Sequence, residues 1–235
     1  MSSSPRPEFL YLGHSTVQCT LPGGEVVLID PWVGQNPACP PELENLERID
    51  AMLITHAHFD HIGDAVELAK KHRPKKVVAC YEVCEWLESQ GVENCAGMNL
   101  GGSQDVLGAR VTMVRADHSS GGGAVGYGAV ASGYIVRLPE GYTFYHAGDT
   151  ALFSDMELFA ELYRPELAFL PIGDLFTMDP EQAALACRLL GVSVVIPVHH
   201  STFPLLTGTP EQLVSCLQDR GINAKVVALR PGDTY

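Results

Sequence analysis

The stretch Thr55-His56-Ala57-His58-Phe59-Asp60-His61 limits what this chain can be more than any other feature. Three histidines and one aspartate fall within six residues, directly after the apolar, strand-like run Ala51–Thr55. Neutral imidazole and carboxylate are the ligands that borderline divalent metals such as zinc prefer. Residues two apart in extended chain point the same way, so His56 and His58 can share one ion. Asp60 and His61 lie past the bend into a helix and can face a second ion. Histidines also gather by chance on solvated loops, but such density at a strand's end favours metal binding.

Composition narrows the classes around that motif. Of 235 residues, 46% are hydrophobic, which supports a sizeable core, and 18% are charged, too few for a disordered chain. The length suits one large domain or two halves sharing a core, and residues 1–235 are taken as a single domain. Formal net charge is -13, from 28 acidic and 15 basic side chains, which repels nucleic-acid phosphates and anionic membranes. The basic cluster Lys70, Lys71, Arg73, Lys75 and Lys76 reads as a solvated helix end. The expected partner is a small-molecule substrate, with no nucleic acid and no membrane; a homo-oligomer stays open. The seven cysteines (Cys19, Cys39, Cys80, Cys84, Cys95, Cys187 and Cys216) are irregularly spaced without a Cys-x-x-Cys pair, so they read as buried thiols. Met1–Pro7 has no apolar signal core and no run is long enough to span a bilayer. The expected location is a reducing cytoplasm.

Along the chain, Phe9–Gly13, Val17–Leu21 and Val26–Asp30 are strand-like, with Pro22-Gly23-Gly24 as a hairpin turn. A helix fits Asp64–His72, stopped by Pro74; Lys76–Cys80 reads as a strand and Glu82–Gln90 as a helix closed by Gly91. Arg110–Ala116, Gly133–Leu138 and Tyr142–His146 read as strands. Ser154 with Glu157 looks like a capping box opening a helix to Arg164. Leu167–Ile172, Val192–Val198 and Ala224–Leu229 are strands; the helices between them start at Asp179-Pro180 and Thr209-Pro210 and end at Gly191 and Gly221. Strands dominate the first half and strand–helix units the second. This suggests two packed sheets with helices outside, although propensity alone leaves the topology open.

His56-x-His58-x-Asp60-His61 resembles the metal motif of the metallo-β-lactamase superfamily. Other features fall in that family's order: His118 after Ala116-Asp117, Asp149 in His146-Ala147-Gly148-Asp149-Thr150, and His199 in Ile196-Pro197-Val198-His199. The resemblance spans nearly the whole chain. It is nearest to small metal-dependent hydrolases similar to ascorbate-6-phosphate lactonases, and more distantly to N-acylphosphatidylethanolamine phospholipase D. Gly13-His14-Ser15, Pro171-Ile172-Gly173 and Thr202-Phe203-Pro204 fit that subgroup. The resemblance implies an α/β, four-layer αββα sandwich. It implies one metal on His56, His58 and His118, a second on Asp60, His61 and His199, and Asp149 touching both. Two departures stand out. His200 sits where the subgroup often has tyrosine, so it competes with His199, and His199 is preferred. Asp174 replaces a glycine and caps a turn or adds charge to the pocket rim.

Such a site implies hydrolysis. Two dications roughly 3.5–4 Å apart share a bridging water and lower its pKa to ~7. Asp60, Asp149 and His14 are the candidate catalytic residues. His14 orients a carboxylate or contacts substrate, unless it is a structural histidine bonded to backbone. His146 reads as a support for a ligand or as core, Asp64 as an orienter of a ligand histidine or a helix start, and His72 as a solvated helix end. Ser119–Gly128, with five glycines around Tyr127, reads as a lid or a plain connector. The expected reaction is cleavage of a small ester, lactone or phosphodiester by two divalent ions. Zinc is preferred; manganese, iron and nickel are compatible. The rivals are a nuclease, disfavoured by the acidic charge; an iron oxidoreductase, which usually alters the ligand set; and a non-catalytic metal-binding protein.

Overall fold

The computed structural model describes residues 6–121 and 129–235. Its strands form two mixed sheets. The first holds β1 (Glu8–Gly13), β2 (Thr16–Thr20), β3 (Val26–Ile29), β4 (Ala51–Leu53), β5 (Lys76–Cys80) and β6 (Cys95–Met98) in chain order. Pairing is antiparallel from β1 to β3 and parallel from β3 to β6. The second holds β7 (Ser103–Val106), β8 (Ala109–Arg115), β9 (Ser132–Arg137), β10 (Thr143–His146), β11 (Leu167–Pro171), β12 (Val194–Val198) and β13 (Lys225–Val226). It runs antiparallel from β7 to β10 and parallel from β10 to β13. The helices are α1 (Phe59–Ile62), α2 (Ala65–His72), α3 (Tyr81–Ser89), α4 (Met156–Tyr163), α5 (Pro180–Leu190) and α6 (Pro210–Asp219).

Strand alternation explains the layers. In β11, Leu167 and Phe169 enter the core shared by the two sheets, while Ala168 and Leu170 face a second core. There they meet Ala183, Ala184 and Cys187 of α5 and Leu213 and Leu217 of α6. A strand buried on both faces must be apolar throughout, which is why β11 has no polar residue. Between the sheets, Phe9 meets Phe144 and Phe169 edge-on, with ring centroids 4.9 and 5.1 Å apart. On the far side, Leu68 and Ala69 of α2 and Val83 and Leu87 of α3 close the first sheet's cluster. The result is the expected helix–sheet–sheet–helix order. Among the described residues, no helix is long and apolar enough to cross a membrane.

Several expected elements shift. Strands β6 and β7 were not foreseen; they are short, and each has a single neighbour on the first or second sheet. The final strand contracts from Ala224–Leu229 to Lys225–Val226, which pairs with β12 alone. The capping box at Ser154 does not form: its hydroxyl donates to Asp155 Oδ1 (3.3 Å), and α4 starts after Asp155 without a side-chain cap. The caps at Asp179 and Thr209 do form, the latter reciprocally with Gln212. All seven cysteines are free thiols, five of them buried.

Candidate metal centre

The site lies where the two sheets meet, outside the carboxyl ends of β1, β3, β4, β8, β10 and β12. These strand ends deliver His14, Asp30, His56 to His61, His118, Asp149 and His199 respectively. Parallel neighbours end at the same level, so their following loops converge there. Hydrogen bonds clasp the sheets at this end. The His199 amide donates to the His14 carbonyl (2.6 Å), and the Ser132 amide and hydroxyl donate to the Thr55 carbonyl (3.1 and 2.9 Å). His14, Asp30 and His199 hold left-handed backbone, with φ of 57°, 51° and 53°. For non-glycine residues that conformation is costly and persists where surroundings enforce it.

Asp149 Oδ2 is the hub. It lies 3.0 Å from His199 Nε2, 3.3 Å from His61 Nε2, 3.6 Å from His118 Nε2 and 3.9 Å from His56 Nε2. The donor atoms fall into two sets, each within 4.8 Å of one another: His56, His58, His118 and Asp149, and His14, Asp60, His61 and His199. In the first, His58 Nδ1 is 2.9 Å from His56 Nε2 and 3.2 Å from His118 Nε2. In the second, Asp60 Oδ2 is 2.9 Å from His14 Nε2 and 3.8 Å from His199 Nε2. All seven expected ligand residues are therefore brought together, and His14 joins the second set.

The partners on the outer ring nitrogens fix which nitrogen carries the proton. His61 Nδ1–H donates to Asp30 Oδ2 (2.8 Å). The Thr55 hydroxyl donates to the same carboxylate (2.9 Å), so it accepts from His56 Nδ1–H at 3.0 Å. The Thr202 hydroxyl donates to the His200 carbonyl (3.3 Å) and accepts from His14 Nδ1–H at 3.0 Å. Each of these imidazoles then turns its Nε2 inward. Donor atoms crowd there: His56 Nε2 lies 2.9 Å from His58 Nδ1, and His14 Nε2 lies 2.9 Å from Asp60 Oδ2. Asp149 Oδ1 is buried without a hydrogen-bond partner among the described residues. This donor set fits divalent ions.

The electrostatics agree. Burial lowers His14 to about 4, His56 well below the usual histidine range, and His58 and His118 below it. The His14–Asp60 contact is thus not an ion pair at neutral pH. Burial also opposes charge on His61, but the carboxylates of Asp149 and Asp30 outweigh it and raise that imidazole well above its ordinary value. Burial would raise Asp60, yet its contact with His14 and the charge of His61 hold it at about 2. Asp149 likewise stays well below the carboxylate range, because His199 and His61 outweigh its burial.

Other expected residues are placed as follows. His200 stays outside the cluster, with its Nδ1 3.0 Å from the Ser201 hydroxyl. Asp174 accepts from the Leu175 amide (2.7 Å), the turn-capping role. His146 is a buried support: its Nε2–H donates to the Ser15 carbonyl (3.1 Å), and its Nδ1 accepts from the Gly148 amide (3.2 Å) just before Asp149. Asp64 stands at the start of α2, as expected of a helix start, but its carboxylate caps no helix amide; it accepts from the amides of Val33 (2.5 Å) and Gly34 (2.8 Å) and pins that loop. His72 is half-buried rather than solvated, with its Nε2 covered. Of Ser119–Gly128, residues 122–128, Tyr127 included, lie outside the described residues; the Ser119 hydroxyl is 3.3 Å from His58 Nε2. Asp30 was missed. An aspartate closing an apolar run before proline looks like an ordinary turn residue.

Known proteins resemble this chain over most of its length. The model of the beta-lactamase superfamily domain matches residues 25–200. A UPF0173 metal-dependent hydrolase from Koribacter versatilis is 50% identical over 228 residues, 96% of each chain. Another from Solibacter usitatus is 51% identical over 228 residues, 96% of this chain and 97% of that one. The solved structure of Igni18, a metallo hydrolase from the hyperthermophilic archaeon Ignicoccus hospitalis, superposes with a TM-score of 0.87 at 36% identity, covering 97% of both chains. With this fold, this donor set and these relatives, the chain belongs to the metallo-β-lactamase superfamily and, within it, to the UPF0173 metal-dependent hydrolase family.

Proposed function

We propose that residues 1–235 act as one domain that hydrolyses a small ester, lactone or phosphodiester through a dinuclear metal centre. The observation that carries this reading is the position of Asp149 Oδ2, within 3.9 Å of four imidazoles drawn from both sets of donors. His56, His58 and His118 would hold one ion, Asp60, His61 and His199 the other, and Asp149 would touch both. His14 meets Asp60 and orients it. When bound, the ions would supply a water acidified at neutral pH and Lewis acidity at the oxygen of the scissile group.

The chain's own residues do the rest. Asp30 and Thr55 fix His61 and His56 in the tautomers that present Nε2. Asp149 is held in place by its contacts with His61 and His199 at 3.3 and 3.0 Å. The site needs no serine or cysteine nucleophile. Zinc suits a histidine-rich site with carboxylates better than manganese, iron or nickel. The sequence likeness to ascorbate-6-phosphate lactonases keeps lactones among the substrates.

A screen of metal-loaded protein against chromogenic phosphodiesters, lactones and thioesters tests this reading. Asp149→Ala and His58→Ala should each abolish the hydrolysis found, with circular dichroism unchanged. Full activity in either variant, or an inactive metal-loaded wild type, contradicts it.

A further inference from the structure

We propose that the substrate is uncharged beyond its scissile bond and lays an apolar tail on one wall of the site: a neutral ester or lactone with an alkyl or aryl chain. This rests on the hydrolase reading and chooses among its substrates. A cavity of about 450 Å³ opens over His58, Asp60, His118, Asp149 and His199. That volume suits a small organic ligand. Its remaining wall is Phe59, Phe176, Phe203 and Leu205, with Ser119 at the edge.

These apolar side chains come from separate parts of the chain. Phe59 opens α1, Phe176 sits in the loop after β11, and Phe203 and Leu205 sit in the loop after β12. Phe59, Phe176 and Leu205 are 66%, 54% and 61% exposed. A lone exposed apolar residue needs no explanation, but several converging on one cavity mark a binding surface. Covering them with an apolar tail removes that area from water.

Charge points the same way. No lysine or arginine occurs anywhere in residues 7–47, 49–69, 116–136, 138–163, 165–187 or 189–219. Those stretches contain every residue lining the cavity, and 122–128 as well. Arg115, which ends β8, is engaged by Asp117 and Asp155 at 2.6 and 3.0 Å. A phosphate or carboxylate on the tail would therefore give up its hydration without gaining a cationic partner.

Three 4-nitrophenyl esters test this on the metal-loaded protein: acetate, hexanoate and the monoester of adipate, which has the hexanoate length and a terminal carboxylate. We expect kcat/KM for hexanoate to exceed both others by roughly 10-fold or more. Phe176→Ser should shrink the hexanoate-to-acetate ratio, and Leu205→Arg should shrink the hexanoate-to-adipate ratio. Both side chains are exposed, so the fold should persist. Adipate turned over as well as hexanoate, or a Phe176→Ser variant that changes oligomeric state but not the ratio, overturns the proposal. Calorimetric binding of N-hexylacetamide against 6-acetamidohexanoate separates the two readings. Tighter binding of N-hexylacetamide than of 6-acetamidohexanoate, without turnover of any ester, sinks the hydrolase reading and leaves the cavity's preference for an uncharged apolar tail standing. Equal or weaker amide binding, or none, overturns this one.

Discussion

Asp30 stands behind the candidate ligands rather than among them, and its carboxylate accepts from the Thr55 amide, the Thr55 hydroxyl and His61 Nδ1 at 2.8–2.9 Å. Such an outer partner sets the orientation and basicity of the ligand it holds. Asp30→Asn should keep the fold yet lower metal affinity roughly 10–100-fold, measured by competition with a chelator. Unchanged affinity would show that His61 needs no such support. A second prediction concerns pH. Burial depresses His14, to about 4, and also His56, His58, His118 and His146. A histidine depressed in the folded state contributes stability above its unfolded value of about 6.5 and loses it as pH falls towards the folded value. His61, raised, acts in the opposite sense and loses its contribution as pH rises through its folded value. His72 and His200 are lowered too, so with seven groups against one, metal-free protein should unfold at lower urea at pH 5 than at pH 7.5. Equal midpoints would contradict the neutral-histidine assignment. Residue type and spacing exposed His56 to His61. His118, Asp149 and His199 needed the family likeness, because nothing local ties them to the motif. Asp30 was illegible, since its role exists only across the gap to His61.

Between elements, the turn from β10 into Asp149 depends on Gly148. Its φ is 60°, and a Cβ there would lie 2.7 Å from Thr55 Cβ and 2.8 Å from the Ser132 carbonyl oxygen. Gly148→Ala should cost about 2 kcal/mol or more, from left-handed strain plus the clash, and displace the adjacent hub carboxylate. Urea unfolding and metal content should fall together; a fully stable variant with native metal content would refute the close approach. The Thr209 cap gives a contrasting case. Thr209→Ala removes a reciprocal cap on α6 and should cost about 1 kcal/mol with metal content unchanged. Loss of metal there would mean that α6 positions the site. Caps at Asp179 and Thr209 were legible because each precedes a proline at the first helical position. Ser154 was misleading because Asp155 follows it and takes its hydroxyl. Strands β6 and β7 escaped notice because Cys95-Ala96-Gly97-Met98 and Ser103-Gln104-Asp105-Val106 lack β-branched runs; the sheets' edges, not propensity, make them strands.

At the scale of the whole molecule, two sheets of like design face each other, each antiparallel at one end and parallel at the other. Neither sheet alone supplies the site. The first gives His14, Asp30 and the His56–His61 stretch; the second gives His118, Asp149 and His199. Apolar periodicity shows that strands exist but not which neighbours they take, so the layer order was legible only through the family resemblance. The central claim is that joining the sheets creates two adjacent cation sites. Crystals of protein purified without added metal, with anomalous scattering recorded at the zinc, iron, manganese and nickel edges, test it most directly. The account predicts two peaks flanking Asp149 Oδ2, one among His56, His58 and His118 and one among Asp60, His61 and His199. A single peak, or none in protein that hydrolyses its substrate, would contradict it.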